Sequence, residues 1–128
     1  MTRRHDFNFS APPSSDILYE MARSLVDDLP KELDDLIDGL EIAIDDFPSE
    51  DIQSELELET DFDLLALYID SPRKTLVLYR RPILDIWCET EDDLGKLICH
   101  LMVTELAQQL DYTAVEIEAL ANESVKGG

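Results

Sequence analysis

Basic residues are scarce in this chain. Its 128 residues hold 10 Lys and Arg against 30 Asp and Glu, a formal net charge of −20. A field this negative repels phosphate backbones and anionic lipid surfaces. Nucleic acid and membrane are therefore excluded as expected partners, and a basic partner is favoured. Cysteine is nearly absent: Cys88 and Cys99 are the only two. Without CxxC or knuckle spacing they build neither a disulfide framework nor a zinc knuckle. Long apolar runs are missing too, since no stretch reaches the ~20 residues of a membrane span. Met1-Thr2-Arg3-Arg4-His5-Asp6 is not followed by the apolar core of an export signal. These absences together predict a cytoplasmic protein in a reducing compartment.

What is present suffices for one folded domain. Hydrophobic residues make up 45% of the chain, enough for a single core at this length. The acid is concentrated: residues 16–63 carry 18 acidic side chains, with Arg23 and Lys31 as the only bases. Arg73, Lys74, Arg80 and Arg81 form a small basic island.

Residues 1–15, ending in Ala11-Pro12-Pro13-Ser14-Ser15, are expected to be a flexible lead, followed by a domain over 16–122 and a loose tail over 123–128. Ser15 or Asp16 can cap a first helix, whose apolar face would hold Ile17, Leu18, Met21, Leu25 and Val26. Pro30 suits the first turn of a second, short helix that Gly39 ends. Leu40 to Asp45 alternates apolar and acidic residues apart from Ala43, and residues 40–46 read as a strand with one buried face. A weak helix follows from about Glu50. Leu64 to Ile69 is nearly continuous in apolar residues and reads as a central strand, and residues 75–80 as a further strand. Pro82 opens a short helix. Thr90 is a candidate cap for a long helix over 91–110, and a last helix runs from Thr113 to about Asn122. The expected fold is α+β: a small, mostly antiparallel or mixed sheet of about three strands packed against a long central helix and flanking helices.

That long helix is wrapped in apolar side chains, which makes its polar ones informative. His100, Thr104 and Gln108 recur every four residues and share one stripe, and Glu105 lies ~100° round from Thr104. Thr104-Glu105-Leu106-Ala107-Gln108 reads T-E-x-x-Q. In H-E-x-x-H, histidines four apart aim nitrogen at one zinc, and the glutamate polarises the zinc-bound water. Here the glutamate stands and both histidines are missing. A buried unpaired carboxylate is costly, so Glu105 is expected to cap a backbone group, meet Arg80 or Arg81, or face solvent. Two further side-chain groups have sharp and plain alternatives. His100 is either a relocated ligand with Cys99 and Glu105 or a hydrogen-bonded histidine near the core or cleft. Arg80 and Arg81 either bind a ligand carboxylate or phosphate or balance local acids.

Several segments in order resemble the minimal zincin family, small bacterial proteins of about this length assigned as zinc metallopeptidases. Leu29-Pro30-Lys31-Glu32-Leu33 resembles that family's L-P-x-E-L, and Ile42-Ala43-Ile44-Asp45-Asp46-Phe47-Pro48 its first strand. Leu67-Tyr68 and Pro72 resemble its G-L-Y-x-G-x-P, with Ala66 and Asp70 in place of the glycines. Leu76-Val77-Leu78-Tyr79-Arg80-Arg81-Pro82 resembles its I-x-L-Y-R-R-P. The likeness covers roughly residues 16–121 and implies a zincin-like fold. In the family's H-E-x-x-H-x-x-G-x-x-D pattern, the resemblance puts Thr104, Gln108 and Ala114 at the three metal-ligand positions and Asp111 at the glycine. Only Glu105 keeps its type. Zinc is the cofactor the resemblance implies for the family, and none is expected here.

Three functions are consistent with these residues. The first is an inactive metallopeptidase homologue that binds a protein or peptide in the former cleft, the candidate residues there being His100, Arg80 and Arg81. The second is an active metal-dependent hydrolase with a rebuilt ligand set. The third is an acidic interaction protein for a basic partner. The first is the expectation carried forward.

Overall fold

The computed structural model describes residues 13–90 and 93–127, with side chains up to residue 123. Expectations for residues 1–12, and for Glu91 and Asp92 in the first turn of the long helix, lie outside the described residues.

Helix α1 (Ser15–Val26) is capped by Ser14, whose hydroxyl accepts the Ile17 N–H at 3.3 Å. The cap thus lies one residue before the positions expected for it, and Pro13 ahead of it is buried. Leu18, Ala22 and Val26 form the buried stripe. Ile17, expected on that stripe, is 39% exposed, because it stands about 100° round from Leu18. A 3-10 turn (Lys31–Leu33) leads into α2 (Asp34–Ile37). Gly39 then takes φ +79, a left-handed conformation that glycine adopts without steric cost. Lys74 Nζ donates to the carbonyls of Asp35 and Asp38, at 2.6 and 3.2 Å, where α2 ends.

Strands β1 (Glu41–Asp45), β2 (Ala66–Ile69) and β3 (Thr75–Tyr79) form one sheet in the order β1-β3-β2. β1 runs parallel to β3, with Glu41 beside Thr75 and Asp45 beside Tyr79. β2 runs antiparallel to β3, with Ala66 beside Leu78 and Ile69 beside Thr75. The central strand is therefore β3. The apolar run at Leu64–Ile69, read from sequence as the central strand, is an edge. Burial agrees: Leu76, Val77, Leu78 and Tyr79 are all buried, whereas Leu67, Tyr68 and Ile69 are half-buried. A short helix, α3 (Glu50–Glu55), capped by Ser49, sits between β1 and β2.

Helix α4 (Arg80–Glu89) follows β3 without a loop. It ends at Thr90, whose N–H returns to the carbonyls of Ile86 and Trp87. The next helix, α5 (Leu94–Ala107), starts later than the sequence suggests, so Asp93 rather than Thr90 is its cap, its carboxylate accepting the Lys96 N–H. The last helix, α6 (Ala114–Gly127), starts in a reciprocal capping box. The Glu116 carboxylate accepts the Thr113 N–H at 2.8 Å, and the Thr113 hydroxyl accepts the Glu116 N–H at 3.2 Å. It continues past Asn122, where the sequence had suggested a tail.

Leu18, Leu33, Leu76, Leu78, Ile83, Ile98, Met102, Val103 and Leu106 are all 0% exposed and meet in one core between the sheet, α1, α4 and α5. Each such side chain contributes ~1.5–3 kcal/mol of burial free energy. The fold is α+β, with a mixed three-stranded sheet. Among the described residues, no helix is long and apolar enough to cross a membrane.

Candidate functional site

α5 packs beside β2, an edge strand whose outer side has no partner strand among the described residues. In an antiparallel pair, alternate residues turn their N–H groups away from the partner. The Tyr79 N–H donates to the Leu65 carbonyl at 2.9 Å, so the inward-bonding positions of the second strand are Leu65, Leu67 and Ile69. Ala66 and Tyr68 present their N–H groups outward. Glu105 of α5 closes one of them: its Oε2 accepts the Tyr68 N–H at 3.0 Å. Of the three fates the sequence left open for this carboxylate, the structure shows the backbone cap.

Two effects compete on Glu105. Burial raises its pKa above the ordinary carboxylate value, and the Tyr68 N–H works against that rise. Tyr79 lies close enough to feel the same charge. Its phenol is pushed up to about 12, first by burial, then by Asp45 and Glu105. The Tyr79 hydroxyl and the Thr104 hydroxyl are both buried and have no hydrogen-bond partner among the described residues. This part of α5 and β3 thus holds a half-buried carboxylate and two unsatisfied hydroxyls. Each such hydroxyl costs roughly 1–3 kcal/mol relative to a satisfied one.

The remaining residues singled out from sequence scatter. His100 is half-buried on α5. Gln108 is exposed and forms the C-terminal cap of α5, and Ala114 is exposed at the first position of α6. Asp111 is exposed between them. Arg80 is held by structural partners: its Nε donates to the Pro13 carbonyl at 2.7 Å, and its Nη1 meets Asp46 Oδ1 at 3.3 Å. The Arg81 side chain is exposed, with its guanidinium 5.8 Å from the centre of the Phe47 ring. Among the described residues, no three His, Cys, Asp or Glu side chains converge where they could hold a metal ion.

Sequence reasoning gave neither Tyr68 nor Asp46 a role at the site. The tie between Tyr68 and Glu105 spans 37 positions and uses a backbone donor, which leaves no local signature. Asp46 was more accessible. Once β1 and β3 are parallel in register, the acid after β1 falls beside the arginine after β3.

No curated protein matches the chain. A family model does match, over residues 37–123, a span that takes in all three strands and the whole of α5. With the order of its sequence motifs, its mixed sheet and α5 set against the edge strand, the chain belongs to the zincin-like metallopeptidase family.

Proposed function

We propose that this domain has given up peptidase chemistry and acts as a non-catalytic protein- or peptide-binding module. The single observation that carries this reading is the hydrogen bond from the Tyr68 N–H to Glu105. It ties the one side chain of the motif that keeps its type to the sheet edge.

The donor set does not fit zinc. Thr104 offers a neutral hydroxyl that is already buried, Gln108 a neutral amide, and Ala114 a methyl group. Structural and catalytic zinc sites use thiolate, imidazole and carboxylate. Without a metal-polarised water, Glu105 has no activated nucleophile to serve as base. His100 as a relocated ligand finds no trio of suitable side chains among the described residues.

Zinc-loaded and chelator-stripped protein, incubated with casein, test the loss of catalysis. Both samples are expected to leave casein intact. Zinc-dependent cleavage that Glu105→Gln removes would overturn the reading.

One observation favours a related role, the capture of a basic partner. Leu56 and Phe62 are 46% and 43% exposed on a stretch, residues 50–63, that carries seven acids and no Lys or Arg. Such a surface attracts basic segments through its field and holds them through its apolar groups.

A further inference from the structure

Ala66 and Tyr68 each turn an N–H and a C=O to the outer side of β2, because a residue in an antiparallel pair sends both groups the same way. Such an edge is a template for an extended chain. Glu105 Oε2 stands 3.0 Å from the Tyr68 nitrogen, in the place of the carbonyl that a pairing strand would offer. The edge is therefore closed from within, by a side chain of α5.

A chain that pairs with β2 takes this N–H and so displaces the carboxylate. The exchange leaves the Tyr68 N–H satisfied and Glu105 without its donor. Glu105 is half-buried, so water compensates it only in part. Register fixes the face on which it is left. Tyr68 lies beside Leu76, which is 0% exposed, and packs on the core to which Met102 and Leu106 of α5 belong. Residues paired across two strands put their side chains on one face of the sheet. A ligand residue beside Tyr68 therefore turns its side chain towards α5, the side from which Glu105 reaches. A cation there replaces the lost donor.

We propose that Glu105 is an autoinhibitory latch on β2, and that the ligand displacing it is an extended peptide with Lys or Arg at the residue beside Tyr68. This rests on the peptide-binding reading and adds to it where the peptide lies and which residue it must carry. The basic partner favoured by a net charge of −20 is then selected at one position as well as by the long-range field.

The test is an NMR titration of the nitrogen-15 labelled full-length chain, at about 0.15 M salt to screen the general field. The probes are acetylated, amidated Thr-Val-Thr-Lys-Thr-Val-Thr and its counterpart with norleucine in place of the lysine. The Ala66 and Tyr68 amides are expected to shift and saturate, with a Kd about fivefold lower for the lysine peptide. Glu105→Gln keeps an acceptor but leaves no charge when displaced, so there the ratio is expected to fall to about twofold or less. In Glu105→Ala the opened edge is expected to take the norleucine peptide more tightly than the parent does. A fivefold ratio that survives Glu105→Gln, a norleucine peptide bound no better by Glu105→Ala, or shifts that saturate away from β2 would overturn the latch and leave the peptide-binding reading in place. No saturable shift in the parent or in Glu105→Ala would overturn both.

Discussion

The carboxylate of Glu105 and the backbone N–H of Tyr68 are hydrogen-bonded at 3.0 Å, joining α5 to the outer edge of β2. This contact makes the glutamate a piece of the sheet's architecture. It satisfies a donor that an edge strand otherwise leaves to water or to another chain.

The account predicts that Glu105→Gln and Glu105→Ala behave differently. Glutamine keeps an oxygen that can accept the Tyr68 N–H and removes the charge that burial disfavours. Its urea midpoint at neutral pH is expected to equal or exceed that of the parent chain. Alanine leaves the N–H without its partner and is expected to cost about 1 kcal/mol. Equal losses in the two variants would contradict the role given to the hydrogen bond.

A pH dependence follows from the same residue. Its folded-state pKa is raised from 4.5. A raised pKa means that the native state holds this proton more tightly than the unfolded state. The advantage is present in full below the unfolded value and is lost as pH rises through the folded value. The stability of Glu105→Gln minus that of the parent should therefore be small near pH ~4 and grow in favour of the variant towards pH ~7. Denaturant titrations of both proteins across that range measure it. Subtracting the variant removes the general effect of protonating the other acids. A difference that shrinks with rising pH would contradict the burial argument.

Arg80 and Arg81 are adjacent but should not be equivalent. Arg80 holds the Pro13 carbonyl at 2.7 Å and also meets Asp46, with 18% of its side chain exposed. Arg80→Ala is expected to destabilise the domain by ~1.5–3 kcal/mol, the range for hydrogen bonds to a charged group. The Arg81 side chain, exposed beside Phe47, should change stability by less than ~0.5 kcal/mol when replaced by alanine. Thermal unfolding of the two variants side by side decides this.

Much of the fold can be read from local pattern. Alternation at Glu41–Asp45, the turn at Gly39 and the apolar stripe of α1 each have a physical signature within a few residues. Strand order has none. Leu64–Ile69 is apolar enough for a central strand, yet its place at the edge is set by β1 pairing in parallel with β3. The cap of α5 differs because the helix starts later than its sequence suggests. Thr90 is a good cap by type, but the first helical residue is Leu94, so Asp93 takes the role. At the candidate site, the stripe of His100, Thr104 and Gln108 was legible because helical periodicity fixes it. The partner of Glu105 was legible only as one of three options. A backbone donor 37 positions away carries no side-chain signal, and the lone hydroxyl of Tyr79 depends on how α5 lies against β3.

The central claim is that Thr104, Glu105, Gln108 and Ala114 no longer form a metal site. A calorimetric zinc titration of chelator-stripped protein at neutral pH tests it most directly. The account predicts no saturable heat of binding, and no difference between the parent and His100→Ala. Tight one-to-one binding that persists in His100→Ala would contradict it, and binding lost in His100→Ala would point to a relocated ligand set.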